Sequence, residues 1–249
     1  MIGIYDINQN SNLNYKTRLD IYKNSGFKEL ALYIDDRYNR PDENYTDIIK
    51  YAREIGLEIR QAHIDYKISN LICDDSTNEY FEYVSLKLQE ASQLNIPYIV
   101  AHASMSNTPP EINDTQLSKF ANLLNSFEDK NITLCLENVR NNTNLDKILN
   151  LKLPNVKVCF DLGHANCYSD VQKLFNKYKS NIICSHLHNN YGTDTHNILN
   201  DGNIDYKYFL NLLNQIPNAS NCLECFPKDR DLSEIEFSKF ILDCNKTIS

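Results

Sequence analysis

The sequence lacks three features that would place it in other classes of protein. No apolar run is long enough to cross a membrane. No basic segment followed by an apolar stretch occurs in MIGIYDINQN, so we expect no signal peptide and a cytoplasmic protein. Positive charge is not in excess, since the net charge is −8 at pH 7, and this acidity argues against nucleic acid as a partner.

The length and composition suit one large α/β domain, which we expect to span residues 1–249. The 249 residues are 42% hydrophobic, enough to fill a core. Eight cysteines are present, but a chain of this length does not need disulfides to fold. Without an export signal we expect them to be reduced thiols.

Short β-branched or aromatic runs alternate with longer amphipathic runs. The predicted strands are Ile2–Ile7, Glu29–Asp35, Leu57–His63, Pro97–Ala103, Ile132–Asn138, Val156–Asp161, Ile182–His188 and Ser220–Phe226. The predicted helices are Tyr15–Asn24, Asp42–Ile55, Glu79–Leu94, Thr115–Asp129, Leu145–Leu149, Asp170–Tyr178, Tyr206–Gln215 and Leu232–Cys244. Thr77 and Asp114 are predicted N-caps, and Gly26 and Gly56 are predicted to end helices.

Eight β-α units in about 250 residues match the size of a (β/α)8 TIM barrel. The alternative is an open, doubly wound sheet. No G-x-G-x-x-G follows the first strand, which weakens the nucleotide-binding form of that alternative.

Ligand-type side chains cluster at the C-terminal ends of the predicted strands. These are His63, His102, Glu137, Asp161, His164, His186, His188, Asp194, His196 and Glu224, and they include all six histidines of the chain. In a barrel these ends meet at one face, which is where TIM barrels carry their active sites. A buried carboxylate or imidazole must be paired or bound to metal, and few Lys or Arg residues are close in the sequence.

The residues therefore predict a divalent-metal site of mixed imidazole and carboxylate ligands, suited to Mn²⁺, Zn²⁺, Co²⁺ or Mg²⁺. Glu137, Asp161, His186 and Glu224 would hold one ion. His63 and His102, sharing Glu137, would hold a second, and His164, Asp194 and His196 a third. The sequence leaves the number of ions open between one and three.

Four cysteines support this register. Cys135, Cys159, Cys184 and Cys222 each lie two residues before a strand-end ligand, so each points inward, one layer deeper. We interpret them as small apolar residues of the barrel core. Cys222 and Cys225 form a C-x-x-C spacing, but three residues apart on a strand they would face opposite sides.

The pattern resembles the xylose isomerase-like TIM-barrel superfamily, which holds sugar and sugar-phosphate isomerases and epimerases together with the AP endonuclease endonuclease IV. The resemblance rests on the strand-end His63 and His102, LENV, FDLGH, HLHNNYGTDTH, NDGNID and Glu224, and it covers essentially the whole chain. All nine ligand positions of the three-zinc endonucleases are occupied here. Isomerases of the group use the four ligands on strands 5 to 8, with His164 contacting substrate.

Three features depart from the family. Asn189 and Asn200 stand where Asp and Gly are expected, and the loop from His186 to Asp194 is short for a DNA-cleaving relative. No long basic insertions follow strands 1 to 3, where such relatives grip duplex DNA. These departures favour the isomerase branch.

The leading hypothesis is a metal-dependent isomerase or epimerase of a small sugar, sugar phosphate or hydroxy-carbonyl compound. Glu137 and Glu224 would move the proton through an enediolate, with His164 as a third catalytic residue. The predicted substrate contacts are His188, Arg140, Lys228 and Arg230, of which the last three could hold a phosphate. The alternatives are an endonuclease IV-like phosphodiesterase and a non-catalytic binding protein. Whether the chain forms a homo-oligomer stays open.

Overall fold

Eight parallel strands close into a barrel in the order in which they occur along the chain. This computed structural model describes residues 2–7, 12–38, 40–229 and 231–248. The strands are β1 Ile2–Tyr5, β2 Leu30–Tyr33, β3 Gln61–His63, β4 Tyr98–His102, β5 Thr133–Glu137, β6 Val156–Asp161, β7 Ile182–Leu187 and β8 Ser220–Leu223. The barrel closes where β8 pairs with β1. The predicted (β/α)8 barrel is confirmed, and the open-sheet alternative is wrong.

Helices surround the barrel on the outside. Within the described ranges they are α1 Tyr15–Asn24, α2 Tyr45–Glu54, α3 Glu79–Gln93, α4 Asp114–Asn125, α5 Thr143–Leu149, α6 Leu162–Tyr168, α7 Val171–Tyr178, α8 Tyr206–Asn214 and α9 Glu234–Lys246. Two 3-10 helices, Asp36–Tyr38 and Tyr66–Cys73, lie in the connections after β2 and β3. No helix among the residues described combines the length and apolar character needed to span a bilayer.

Each of the eight predicted helices is present: α1 has the predicted bounds, and the others differ at one or both ends by a few residues. The largest shift is in α4, which was expected to reach Asp129 and ends at Asn125. The cap predictions at Thr77 and Asp114 are wrong by one residue, because Asn78 and Asn113 occupy the N-cap positions. Gly26 and Gly56 follow α1 and α2 with positive φ angles of 97° and 78°, as predicted for residues that end helices.

The sequence analysis missed α6, which begins directly after Asp161. The Asp161 carboxylate caps this helix by accepting a hydrogen bond from the backbone N–H of His164. With seven residues and an internal glycine, α6 has no amphipathic repeat to reveal it. Gly163 is required by close packing, since a Cβ there would lie 1.9 Å from Cε1 of His188.

The barrel interior holds the predicted layer of thiols beneath the strand ends. Cys135, Cys159 and Cys184 pack together with Val100 inside the barrel. Cys222 packs there with Tyr5 and Ala31, whereas Cys225 lies in the outer layer between barrel and helices. The prediction that the two thiols of the C-x-x-C spacing face opposite sides is confirmed.

A buried ion-pair cluster ties the end of β1 to α1 and to the loop before α2. The Arg18 guanidinium donates to both oxygens of Asp6 at 3.0 Å and to Glu43 at 2.9 and 3.1 Å. All three side chains are almost completely buried. Although burial opposes its charge, Asp6 and Glu43 raise the pKa of Arg18 above its usual value. The cluster fixes Asp6, whose side chain lines the cavity described below.

We expect Arg18→Met to destabilise the protein by about 3–5 kcal/mol, because two buried carboxylates would lose their cation. Urea unfolding followed by circular dichroism measures this change. Lys50→Met, at an exposed position of α2, is the matched control and should change stability little. Equal stabilities for the two variants would show that the cluster does not hold the loops.

Candidate metal centre

The structure brings the predicted ligand residues together at the C-terminal mouth of the barrel. They form three groups, in each of which one ligand atom per residue lies within 4.8 Å of the others. The groups are Glu137, Asp161, His186 and Glu224; His63, His102 and Glu137; and His164, His188, Asp194 and His196. We call the group of Glu137, Asp161, His186 and Glu224 the central group. The group of His63, His102 and Glu137 is the first group, and the group of His164, His188, Asp194 and His196 is the third group. Their membership agrees with the sequence analysis, except that His188 joins the third group.

Strand pairing explains how residues distant in sequence meet. In the β4–β5 ladder His102 lies beside Glu137, and in the β6–β7 ladder Asp161 lies beside His186. The β6–β7 pairing contains an irregularity next to Cys159, two residues before the ligand. Irregularities of this kind re-aim side chains at active sites. Glu224 follows the last residue of β8, and its backbone N–H donates to Leu187.

Four imidazoles surround the carboxylate of Glu137. Its Oε2 lies 3.2 Å from Nε2 of His63, 3.1 Å from Nε2 of His102 and 3.4 Å from Nδ1 of His186. Its Oε1 lies 3.1 Å from Nδ1 of His164. Glu137 is therefore shared between the first and central groups.

The central group closes around Nδ1 of His186. This atom lies 3.2 Å from Oε2 of Glu224 and 4.0 Å from Oδ2 of Asp161. The same atom also contacts Glu137. Three carboxylates, from β5, β6 and the residue after β8, therefore surround one imidazole of β7.

Backbone carbonyls fix the tautomers of three histidines. Because a carbonyl only accepts, Nδ1 must be the donor where His63 contacts Ile64 at 2.5 Å, His164 contacts Asn138 at 3.1 Å and His196 contacts Glu224 at 2.8 Å. In the neutral tautomer each Nε2 then presents a lone pair to a carboxylate: His63 to Glu137, and His164 and His196 to Asp194 at 3.4 and 3.2 Å. Two facing lone pairs need a cation between them, and metal-binding histidines are oriented in this way.

Buried polar atoms without hydrogen-bond partners give a second indication. They include Oδ2 of Asp161 and both ring nitrogens of His186 and His188. Leaving such atoms unsatisfied in a buried site is costly. The donor set of imidazole and carboxylate fits a divalent cation of the first transition row, so the residues present fit the metal that the sequence predicts.

Two members of the central group, Glu137 and Glu224, form the floor of a cavity of about 1110 Å³. Glu137 and Glu224 line the cavity, with exposures of 2% and 7%, whereas Asp161 and His186 are 0% exposed. Two carboxylates thus face any bound molecule, and the other two side chains of the group lie beneath them.

His188 lies below this floor instead of on the cavity wall. It is fully buried, its ring stacks on His196 with centroids 3.8 Å apart, and Nε2 lies 3.2 Å from Oδ1 of Asp161. His188 does not line the cavity, and its position lets it support Asp161 or complete the third group, while its contact with substrate stays a prediction.

Asn189, which departs from the family pattern, organises the loop between β7 and α8. Its side-chain N–H donates to Leu199 at 2.7 Å, and its Oδ1 accepts from the backbone N–H groups of Asn190 and Ile204. An amide supplies both the donor and the acceptor that this loop uses, whereas an ionised Asp would supply acceptors only.

Of the three residues predicted to hold a phosphate, two line the cavity and the third is not described. Arg140 and Lys228 line the cavity. The Arg140 guanidinium lies over the ring of Tyr168, 5.1 Å from its centroid, and Lys228 lies 3.3 Å from Asp201. Arg230 lies outside the described residues.

Sequence analysis missed an aromatic wall on the side of β1 to β3. Tyr5, Tyr33, Tyr38 and Tyr66 line the cavity there. The rings of Tyr33 and Tyr38 stack with centroids 4.2 Å apart, and the hydroxyl of Tyr5 is buried without a hydrogen-bond partner. The inward register of Tyr5 and Tyr33 at the ends of their strands is the signal that could have found them.

The imidazoles and carboxylates of these groups shift one another's pKa values. Burial would raise the pKa of Glu224, but the charge of His186 beside it lowers it to about 2. Burial likewise opposes the charge of Glu137, yet His186 and His102 lower the pKa of this carboxyl well below its usual value. Burial opposes protonation of His196, but Asp194 and Glu224 raise its pKa to about 9.

The chain belongs to the xylose isomerase-like TIM barrel family, whose pattern it matches over residues 19–239. No curated protein sequence matches it significantly. The fold and the family together define the class of protein to which the chain belongs. Solved structures with the same fold are consistent with this class.

Two of the similar structures are epimerases. One is D-psicose 3-epimerase from Clostridium cellulolyticum H10 with D-tagatose (TM-score 0.75, 16% identity, covering 98% of this chain and 96% of that one). The second is D-allulose 3-epimerase from Methylomonas sp. with D-allulose (TM-score 0.76, 14% identity, 99% and 95% covered). A third structure is AP endonuclease, family 2, from Brucella melitensis (TM-score 0.70, 16% identity, 96% and 97% covered).

We expect uptake of Mn²⁺ by the metal-free protein at pH 7.5 to release protons, because imidazoles must be deprotonated to ligate. With the pKa of His196 raised to about 9, affinity should rise between pH 7 and pH 9. Calorimetry in phosphate and in Tris, which differ in ionisation enthalpy, measures the protons released.

The His196→Asn variant serves as the comparison in this titration. It should release fewer protons only if the third group takes up an ion. No proton release from the unaltered protein, together with an affinity that does not change with pH, would contradict the assignment of these imidazoles as ligands.

Proposed function

We propose that the protein is a divalent-metal-dependent isomerase or epimerase of a small sugar, sugar phosphate or related hydroxy-carbonyl compound. The observation that carries this proposal is the disposition of Glu137 and Glu224. They come from β5 and from the end of β8, both line the cavity, and both contact the same buried imidazole of His186. A carbon placed above His186 would have a carboxylate on each side.

Glu137, Asp161, His186 and Glu224 would hold the cation. When bound there, a divalent ion supplies Lewis acidity that stabilises negative charge on the carbonyl and hydroxyl oxygens of the substrate. Asp161 and His186, buried beneath the floor, have no surface for substrate, so their part in this reaction would be to hold the ion.

The chain's own side chains would carry out the proton transfer. Glu224 is ionised at neutral pH, because the charge of His186 holds its pKa at about 2 in the metal-free protein, so it would present a carboxylate and not a carboxylic acid to a substrate. Glu137, whose carboxylate is oriented by His63, His102 and His164, would be the second base and act on the opposite face. In epimerisation one carboxylate removes the proton next to the carbonyl and the other returns a proton on the opposite face. His164, which also lines the cavity, is placed to hydrogen-bond a substrate hydroxyl.

A second function is favoured by one specific observation, the presence of three contiguous ligand groups. Three ions could clamp a phosphodiester and activate water, as in a metal-dependent AP endonuclease. The two proposals differ in their substrate. Nicking of abasic duplex DNA by the zinc-loaded protein, lost in Glu224→Gln, would favour the phosphodiesterase.

We expect Glu224→Gln to lower kcat of epimerisation by about 10²–10⁴-fold, because the amide keeps the shape of the side chain and removes the base. The assay follows exchange of the carbon-bound proton of D-fructose and D-allulose, a pair of C3 epimers, in D₂O by NMR. If two bases act on opposite faces, the variant loses interconversion yet still exchanges the proton of the one epimer that faces Glu137.

Glu82→Gln, at an exposed position in the first turn of α3, is the matched control and should keep full activity. Metal content is measured for each variant, so that loss of the base is separated from loss of the ion. Full activity in a metal-loaded Glu224→Gln variant would refute the assignment of Glu224 as a base.

A further inference from the structure

We infer that the site selects an uncharged sugar over its phosphate ester, an inference that rests on the proposed function. If the carbonyl end of a pentose or hexose lies at Glu137 and Glu224, its far end lies at the cavity rim. A phosphate carried on the terminal carbon would therefore be held by rim groups and not by the floor. The chemistry of the rim decides between the two substrate classes.

The N-termini of α8 and α9, the helices that follow β7 and β8, are occupied by the chain's own side chains. TIM barrels commonly bind phosphate with the loops after strands 7 and 8 and a helix N-terminus. Here Asp205 caps α8 by accepting from Tyr208. Ser233 caps α9, and the Glu236 carboxylate returns to the backbone N–H of Ser233 at 3.0 Å. A phosphate approaching the N-terminus of α8 or α9 would meet a carboxylate that already accepts a hydrogen bond from a backbone N–H group there.

The charges described at the rim have acidic or aromatic partners. Arg140 lies over Tyr168, whose hydroxyl contacts Asp194 at 3.4 Å. Lys228 lies 3.3 Å from Asp201. An incoming phosphate dianion would have to displace these contacts and approach two carboxylates, and like-charge juxtaposition of this kind is strongly unfavourable.

The opposite wall suits an uncharged sugar. Tyr38 and Tyr66 line the cavity, with Tyr33 stacked on Tyr38 and Tyr66 stacked on His102. Phe226 also lines the cavity and stacks on His196. Aromatic faces bury the C–H surface of a sugar, and their hydroxyls supply polar contacts without net charge.

The test uses the Mn²⁺-loaded protein with two matched pairs of ligands: D-fructose and D-fructose 6-phosphate, and D-allulose and D-allulose 6-phosphate. Binding is measured by calorimetry and turnover by NMR. We expect each free sugar to bind and to exceed its phosphate ester in kcat/KM by about 100-fold. Inorganic phosphate at the same concentration should not compete.

Tyr66→Leu tests the aromatic wall independently. Tyr66 is partly exposed, so the variant is expected to fold. Loss of the ring should raise KM for the free sugar about tenfold with little change in kcat. Tyr208→Leu, on the exposed face of α8, is the control and should have no effect.

Turnover of either member of a pair supports the proposed function, whichever member is preferred. Tighter binding or faster turnover of the phosphate ester overturns the inference and leaves the proposed function standing. If neither pair is turned over, the proposed function fails for these substrates. The inference about sugar and phosphate ester is then judged from the binding measurements alone. Preference for the free sugars then supports the inference, whereas binding of the esters alone, or of no ligand, contradicts it.

Discussion

The charge balance around Glu137 is the constraint on which the rest of the site depends. A carboxylate with 2% exposure is contacted by four imidazoles, and further carboxylates lie behind and beside them. Burial of so many ionisable groups is expensive unless a cation compensates them. Since backbone carbonyls commit Nδ1 of His63, His164 and His196 as donors, the Nε2 lone pairs are directed at carboxylates. A divalent cation between these lone pairs and carboxylates would balance the charges.

The fold meets this constraint by bringing the C-terminal ends of the strands together. Parallel pairing puts His102 beside Glu137 and Asp161 beside His186, so the ligands need no long loops to meet. Below them the interior thiols of Cys135, Cys159 and Cys184 fill the barrel without adding charge. At the rim, the Arg18 cluster holds the ends of β1 and the loop before α2. The candidate cation site thus rests on strand ends whose side chains are buried.

Much of this arrangement could be predicted from the sequence, because period-two patterning fixes which strand residues point inward. The central and first groups and the depth of the thiols follow from that register. The third group was predicted from the spacing of ligand-type residues instead, because His164 lies in α6 and Asp194 and His196 lie in the loop after β7. Two kinds of feature could not be predicted. The burial of His188 depends on Gly163 and on α6, a helix too short to show a repeat. The aromatic wall depends on where the connection after β3 turns back over the cavity, which brings Tyr66 against His102 and is not encoded in local patterning. The family assignment adds the fold, while the choice between epimerisation and phosphodiester cleavage rests on the site's own chemistry.

One measurement addresses the central claim most directly: anomalous scattering from crystals of the protein grown with Mn²⁺, combined with metal analysis of the purified sample. The account predicts a peak bounded by Glu137, Asp161, His186 and Glu224, with any further peaks confined to the first and third groups. A protein that takes up no divalent ion, or binds one only away from these side chains, would contradict it.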